Sequence, residues 1–208
     1  MDKQLAMQLL ARIDPEKDPL PMELMPKTKD ASVSILGVLP MPYYRSLRPK
    51  TVNDVLDSPC CSISVMNKEF GEEHLRVFMV KILNEVIDYF SVGKSIGAVQ
   101  VAQVADLIIE EYYFFKPDDF KLCFNRAKKG IYGKVFDRID GQVLFEWLSA
   151  YRKERCGEAE QQSINLEHLR GSEHLHYLKK RSTILRSMIL NVNTKLNNES
   201  DKYKATVG

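Results

Sequence analysis

Hydrophobic residues recur at helical spacing through most of the chain beyond residue 63. The pattern predicts one helix over about 72–91 and, after a loop that contains Gly93 and Gly97, another whose helical period continues to Phe115. Their apolar stripes contain Leu75, Phe78, Met79, Ile82, Leu83, Val86 and Phe90 in the first, and Val101, Ala105, Ile108, Tyr112 and Phe115 in the second. The alternation typical of a strand is confined to one short segment. The chain is therefore expected to be a mainly α helical bundle.

Two further helices are marked by their ends. Pro117 suits a first helical position, and Gly130 can adopt the left-handed conformation that ends a helix. Asp140 is a good N-cap for the next helix, with Ile139 and Leu144 at the spacing of a hydrophobic staple. These signals predict helices over 117–129 and 140–156.

The segment from Asp14 to Pro59 differs from the rest because it holds eight of the nine prolines. Prolines at this density exclude long helices. We predict an extended N-terminal arm, in which SVSILGVLPMPYY forms a short strand or stays extended and TVNDVLD forms one or two helical turns. Such an arm either docks on a partner or crosses its own bundle.

Beyond a polar interval, the chain predicts a long C-terminal amphipathic helix over about 172–196. Its apolar residues alternate threes and fours, the spacing of a short coiled coil. The residues expected to form a homodimer contact are Leu178, Leu185, Ile189 and Val192. The alternative is that this stripe packs on the bundle. The predicted domains are 1–60 for the N-terminal helix and arm, 61–157 for the helical core, and 158–208 for the linker, C-terminal helix and tail.

Composition narrows the class of protein. The net charge is only +2, so any nucleic-acid binding must come from local clustering of cations. The four cysteines lack C-x-x-C spacing, which favours reduced thiols in the cytoplasm. We find neither a secretory signal pattern nor an apolar run of membrane-spanning length, and we expect a cytoplasmic protein without a membrane partner.

No catalytic, cofactor or metal signature is recognisable. The glycines near residue 130 match neither a Walker A loop nor a dinucleotide fingerprint. His174 and His176 lie two apart, so they point in different directions on a helix and are poor joint metal ligands. We therefore expect a non-enzymatic protein that carries neither a metal nor a cofactor.

The loop between the capped helices is the leading candidate for binding. Cations there are interleaved with aromatic rings, and phosphates can meet the charges while bases stack on the rings. The candidate residues are Arg126, Lys128, Lys129, Tyr132, Lys134 and Arg138. The alternative is that Ile131, Tyr132, Val135, Phe136 and Ile139 fix the loop to the core and the cations are merely solvated.

The run from Val86 to Cys156 resembles a family of small helical proteins from bacteria, their phages and conjugative elements. The family pattern is a Gly-x-Tyr-Gly loop, an aspartate-rich turn, and a Trp-Leu-x-x-Tyr helix with a basic end. The matching residues are Gly130, Tyr132, Gly133, Asp137, Asp140, Trp147, Leu148, Tyr151 and Arg155. By analogy, the resemblance implies an accessory of DNA replication or mobile-element maintenance, with a partner such as a helicase. The alternative is a helical scaffold or regulator that binds protein and makes no nucleic-acid contact.

Overall fold

A computed structural model describes residues 10–90, 96–133, 135, 139–170 and 180. Seven helices with defined bounds lie in these ranges: α1 Lys29–Val38, α2 Pro40–Ser46, α3 Val52–Asp57, α4 Ile63–Phe70, α5 Glu72–Phe90, α6 Ala98–Glu111 and α7 Pro117–Lys128. An eighth, α8, covers residues 141–159, and a 3-10 turn spans Met22–Leu24. The described residues contain no β-strand, and the mainly α prediction is confirmed.

The chain divides into two compact units, residues 1–159 and 160–208. The first unit contains α1 to α8 and a hydrophobic core to which every one of these helices contributes. The predicted stripes of α5 and α6 are buried in this core, except that Phe90 is only half-buried. In the second unit, residues 160–170 are helical and their apolar side chains Ile164, Leu166 and Leu169 are exposed.

Both ends of α7 and the start of α8 follow the sequence signals closely. Pro117 is the first residue of α7, and Gly130 ends the helix with φ +75°. The N–H of Gly130 donates to Ala127 O at 2.8 Å and that of Ile131 to Arg126 O at 3.1 Å, the paired bonds of a Schellman motif. Asp140 caps α8, its Oδ1 accepting from the Val143 N–H at 3.1 Å. The predicted bounds of the first helix and the predicted cap of the second are confirmed, whereas the predicted end of the second helix at residue 156 is wrong, because the helix continues through Gly157.

The proline-rich segment is not an extended arm, and this part of the prediction is wrong. SVSILGVLPMPYY lies in α1 and α2, while TVNDVLD forms α3 as one of the expected alternatives. Pro40 stands at the first position of α2, where a missing N–H costs little, so it starts a helix rather than breaking one. Thr28 and Thr51 cap the helices on either side.

The proline-rich segment also belongs to the core. Its buried residues include Leu36, Tyr43 and Val55, each at most 1% exposed. The segment therefore crosses its own bundle, which was one of the two alternatives for its path. Within it, α2 contacts both α5 and α7, and residues 45–48 lie at the end of α2 and directly after it.

A buried polar cluster joins α3, α7 and α8. Asp119 is fully buried and accepts from the Tyr151 hydroxyl at 2.8 Å, Arg155 Nε at 2.7 Å and the Lys116 N–H at 2.7 Å. The Lys116 ammonium donates to three carbonyl oxygens at and after the end of α3, those of Val55, Leu56 and Ser58, at 2.8–3.0 Å. In the sequence, the adjacent acids Asp118 and Asp119 are typical of solvated surface or of the start of a helix. The structure buries both at a helix start, where few water molecules remain to solvate them.

Several predictions fall outside the described residues. These are the start of the N-terminal helix, the loop residues Lys134 and Arg138, and the homodimer contacts Leu178, Leu185, Ile189 and Val192. Among the helices that are described, none is long and apolar enough to cross a membrane. All four cysteines are free thiols, three of them buried and Cys156 exposed.

Candidate nucleic-acid interface

The described residues of the predicted loop divide into packed and exposed positions. Arg126 forms an ion pair with Glu154 and lies over the Tyr151 ring, 5.9 Å from its centroid. It therefore takes part in packing α7 on α8, and its guanidinium is already engaged by Glu154 and the Tyr151 ring. Lys129, at the end of the helix, is exposed.

The loop is partly fixed to the core. Tyr132 and Val135 are half-buried against it, and Ile139 is 1% exposed. Burial raises the pKa of Tyr132, with the Arg126 cation opposing the shift. Ile131, by contrast, is 61% exposed. Tyr132, Val135 and Ile139 therefore fix the loop to the core, as in the alternative given above. The Tyr132 ring is only partly available to a ligand.

A larger cluster of cations lies where α2, α5 and α7 meet. We call it the cationic patch and define it as Arg45, Arg48, Lys121 and Lys128 with Glu85 and Tyr89. Two nitrogens of Arg45, Nε and Nη2, each lie 2.6 Å from Glu85 Oε1. Arg48 is exposed, and its guanidinium donates to the carbonyl oxygens of Arg45 and Leu47. Within the described chain, Glu85 is the one carboxylate that forms an ion pair with this patch, so three cations lack such a partner.

The crowding of positive charge in the cationic patch is most evident at Lys121. Its ammonium is half-buried, 4.6 Å from the centroid of the Tyr44 ring. Burial lowers the pKa of Lys121 to about 8, and the neighbouring Arg48, Lys128 and Arg45 cations add to this shift. Glu85 opposes it without cancelling it. Like charges that are held together and partly desolvated favour an approaching anion, which relieves their repulsion.

An aromatic ring adjoins these charges. Tyr89 is 57% exposed on α5, and the Lys128 ammonium lies 4.8 Å from its ring centroid. Burial lowers the pKa of Lys128, while Glu85 opposes the shift. Phe90 contacts the Tyr89 ring edge-on at 5.2 Å between centroids. An exposed ring beside cations is the arrangement on which unpaired bases stack while phosphates meet the charges.

The structure therefore retains part of the predicted site and extends it. Lys128 belongs to the cationic patch and Lys129 follows it directly. Arg45, Arg48 and Lys121 are additional. The sequence could have indicated Lys121, because it lies seven residues before Lys128 and therefore on the same face of α7. Arg45 and Arg48 gave no such signal, because their segment was expected to be extended.

Among the described residues there is no group of three or more His, Cys, Asp or Glu side chains arranged to hold a metal ion. Comparison with family models, curated proteins and solved structures gives no match.

Proposed function

We propose that the protein is a non-enzymatic accessory that binds nucleic acid through the cationic patch. The observation that carries the proposal is the gathering of four cations around one carboxylate, next to the exposed Tyr89 ring. A backbone of regularly spaced phosphates supplies several negative charges to such a surface at once. A small anion would engage fewer of them.

The rings favour single-stranded nucleic acid over duplex. In a duplex the bases are already stacked, so an exposed tyrosine gains little from them, whereas an unpaired base can lie against its face or edge. Lys128 and Tyr89 would then act together, one on a phosphate and the other on a base. DNA replication and the maintenance of mobile elements both expose single strands, which agrees with the resemblance of residues 86–156 to proteins of phages and conjugative elements.

The test is binding of a fluorescein-labelled 20-nucleotide single-stranded DNA, followed by fluorescence anisotropy at low and moderate salt. The patch variant combines Arg48→Ala, Lys121→Met and Lys128→Ala. Its matched control combines Lys27→Ala, Lys68→Ala and Lys153→Ala, which removes the same charge from exposed positions elsewhere. A duplex of the same length measures strand preference.

We expect wild type and the control to bind similarly, and the patch variant to bind at least tenfold more weakly. Tyr89→Ala should weaken single-strand binding more than duplex binding. Equal binding by the patch variant and the control would overturn the proposal. If neither wild type nor any variant binds the single-stranded DNA, the duplex or a single-stranded RNA of the same length, the result would instead favour the alternative, a helical scaffold or regulator that binds protein alone.

A further inference from the structure

The outer surface of α6 exposes apolar side chains beside acidic ones. Leu107 is 52% exposed, and Tyr113, just beyond the helix, is 58% exposed. Phe145 and Ile109 lie beside them, partly buried against the core. Single exposed apolar residues are ordinary on a protein surface, so the case for an interaction site here depends on how these residues combine with the hollows and charges beside them.

Two hollows flank this face. One, of about 470 Å³, is lined by Leu107, Glu110, Glu111 and Phe145. The other, of about 480 Å³, is lined by Asn67, Glu72, Asp106, Ile109, Glu110 and Tyr113. Glu110 borders both, so the two hollows share one ridge. We call this surface the α6 groove face and define it by these lining residues.

The charges of the α6 groove face are all negative. Asp106 is paired with Arg76 at 2.7 Å, and Glu111 with Arg152 at 3.4 Å. Glu72 and Glu110 form no ion pair within the described part of the chain, and no Lys or Arg lines either hollow. A ligand that suits this surface must bring positive charge to its acids and apolar groups to its hollows.

We propose that the α6 groove face binds a cationic amphipathic helix of a partner protein. Charge complementarity identifies this occupant: Lys or Arg side chains meet Glu72 and Glu110, while apolar side chains at helical spacing enter the hollows beside Leu107 and Tyr113. The part of α6 that lines the hollows, residues 106–111, extends about 9 Å, about the length of two turns of a partner helix. The α6 groove face shares no residue with the cationic patch, and its acids repel nucleic acid. The proposed partner site is therefore separate from the proposed nucleic-acid site and does not depend on it.

The probe is a fluorescein-labelled 18-residue synthetic helix with a leucine stripe flanked by lysines. A second peptide keeps the leucines and replaces every lysine by glutamate. Two variants test the two halves of the α6 groove face: Glu110→Lys for charge and Leu107→Ser for the apolar contact. Glu23→Lys is the matched control, since Glu23 is an exposed acid in the 3-10 turn and undergoes the same change of charge. All side chains concerned are exposed, and circular dichroism checks that the helices are intact.

We expect saturable binding of the lysine peptide by wild type and Glu23→Lys. Binding should weaken at least tenfold in Glu110→Lys and about fivefold in Leu107→Ser, and the glutamate peptide should not bind. The proposal is overturned if Glu23→Lys weakens binding as much as Glu110→Lys, if both groove variants bind like wild type, or if the glutamate peptide binds equally. The patch variant should keep its peptide binding, which separates this outcome from failure of the nucleic-acid proposal.

Discussion

Replacing Asp119 by asparagine should destabilise the protein more than the same change one residue earlier. Asp119 is fully buried and accepts from Tyr151, Arg155 and the Lys116 N–H at 2.7–2.8 Å. The Arg155 side chain is itself only 12% exposed. An asparagine amide keeps the volume of the carboxylate but removes its negative charge. The Arg155 guanidinium is then left without a counter-ion and with little solvation by water.

The magnitude follows from the burial of both partners. Removing one member of a buried ion pair costs about 3–5 kcal/mol, because the remaining charge is left uncompensated. With a urea m-value of about 2 kcal/mol per M, the unfolding midpoint should fall by about 1.5–2.5 M. Total stabilities of domains are commonly about 5–15 kcal/mol, so the loss is a large fraction of the whole.

Asp118 supplies the control because it is almost as buried but forms no ion pair with a described residue. Its Oδ1 accepts from the Ser58 hydroxyl at 3.0 Å, and burial raises the pKa of its carboxyl. The charged form is already disfavoured there, so Asp118→Asn should change stability by about 1 kcal/mol or less. Trp147, the one tryptophan of the chain, is 3% exposed and reports unfolding by fluorescence. Equal midpoint shifts for the two asparagine variants would refute the reasoning.

Three further predictions concern other parts of the first unit. Burial lowers the pKa of Lys121 from 10.5 to about 8, so between these pH values the unfolded chain binds more protons than the folded protein. The free energy of unfolding should therefore rise with pH across that window. Urea titrations at pH 8 and pH 10 should show this rise in wild type and not in Lys121→Met. Gly130 has φ +75°, where a Cβ is strained, so Gly130→Ala should lower stability by about 1–2 kcal/mol, whereas Gly157→Ala, inside α8, should not lower it. Thr51 closes a capping box with Asp54 at the start of α3, and Thr51→Ala should cost about 1 kcal/mol, against little change for Thr28→Ser, which keeps the cap of α1.

Local signals predicted the helices well where each signal acts within its own element. Gly130, Asp140 and Pro117 specify helix ends through their own backbone or side-chain chemistry, and the structure uses each as expected. The stripe of α5 was equally readable, because one face of a long helix must be buried. The prediction for the proline-rich segment is wrong because proline, which disrupts the interior of a helix, is equally suited to begin one, as Pro40 does.

The candidate site was only partly predictable because its residues come from distant segments. Lys128 and Lys129 lie in the basic loop region that sequence inspection favoured. Arg45 and Lys121 are 76 positions apart in the chain and meet only after α2 packs against α7. The same limit applies to Asp119, whose partner Arg155 is 36 residues away on another helix. Charge alone indicated solvation, whereas tertiary packing buried the pair.

A nucleic-acid interface at the cationic patch is tested most directly by the salt dependence of single-stranded DNA binding to wild type and to Lys121→Met. Each phosphate contact contributes about −0.7 to the slope of log K against log salt concentration. If Arg48, Lys121 and Lys128 each hold a phosphate, the wild-type slope should be about −2 or steeper, and Lys121→Met should make it shallower by about 0.7. A wild-type slope near zero, or one that the loss of Lys121 leaves unchanged, would contradict a nucleic-acid interface at the cationic patch.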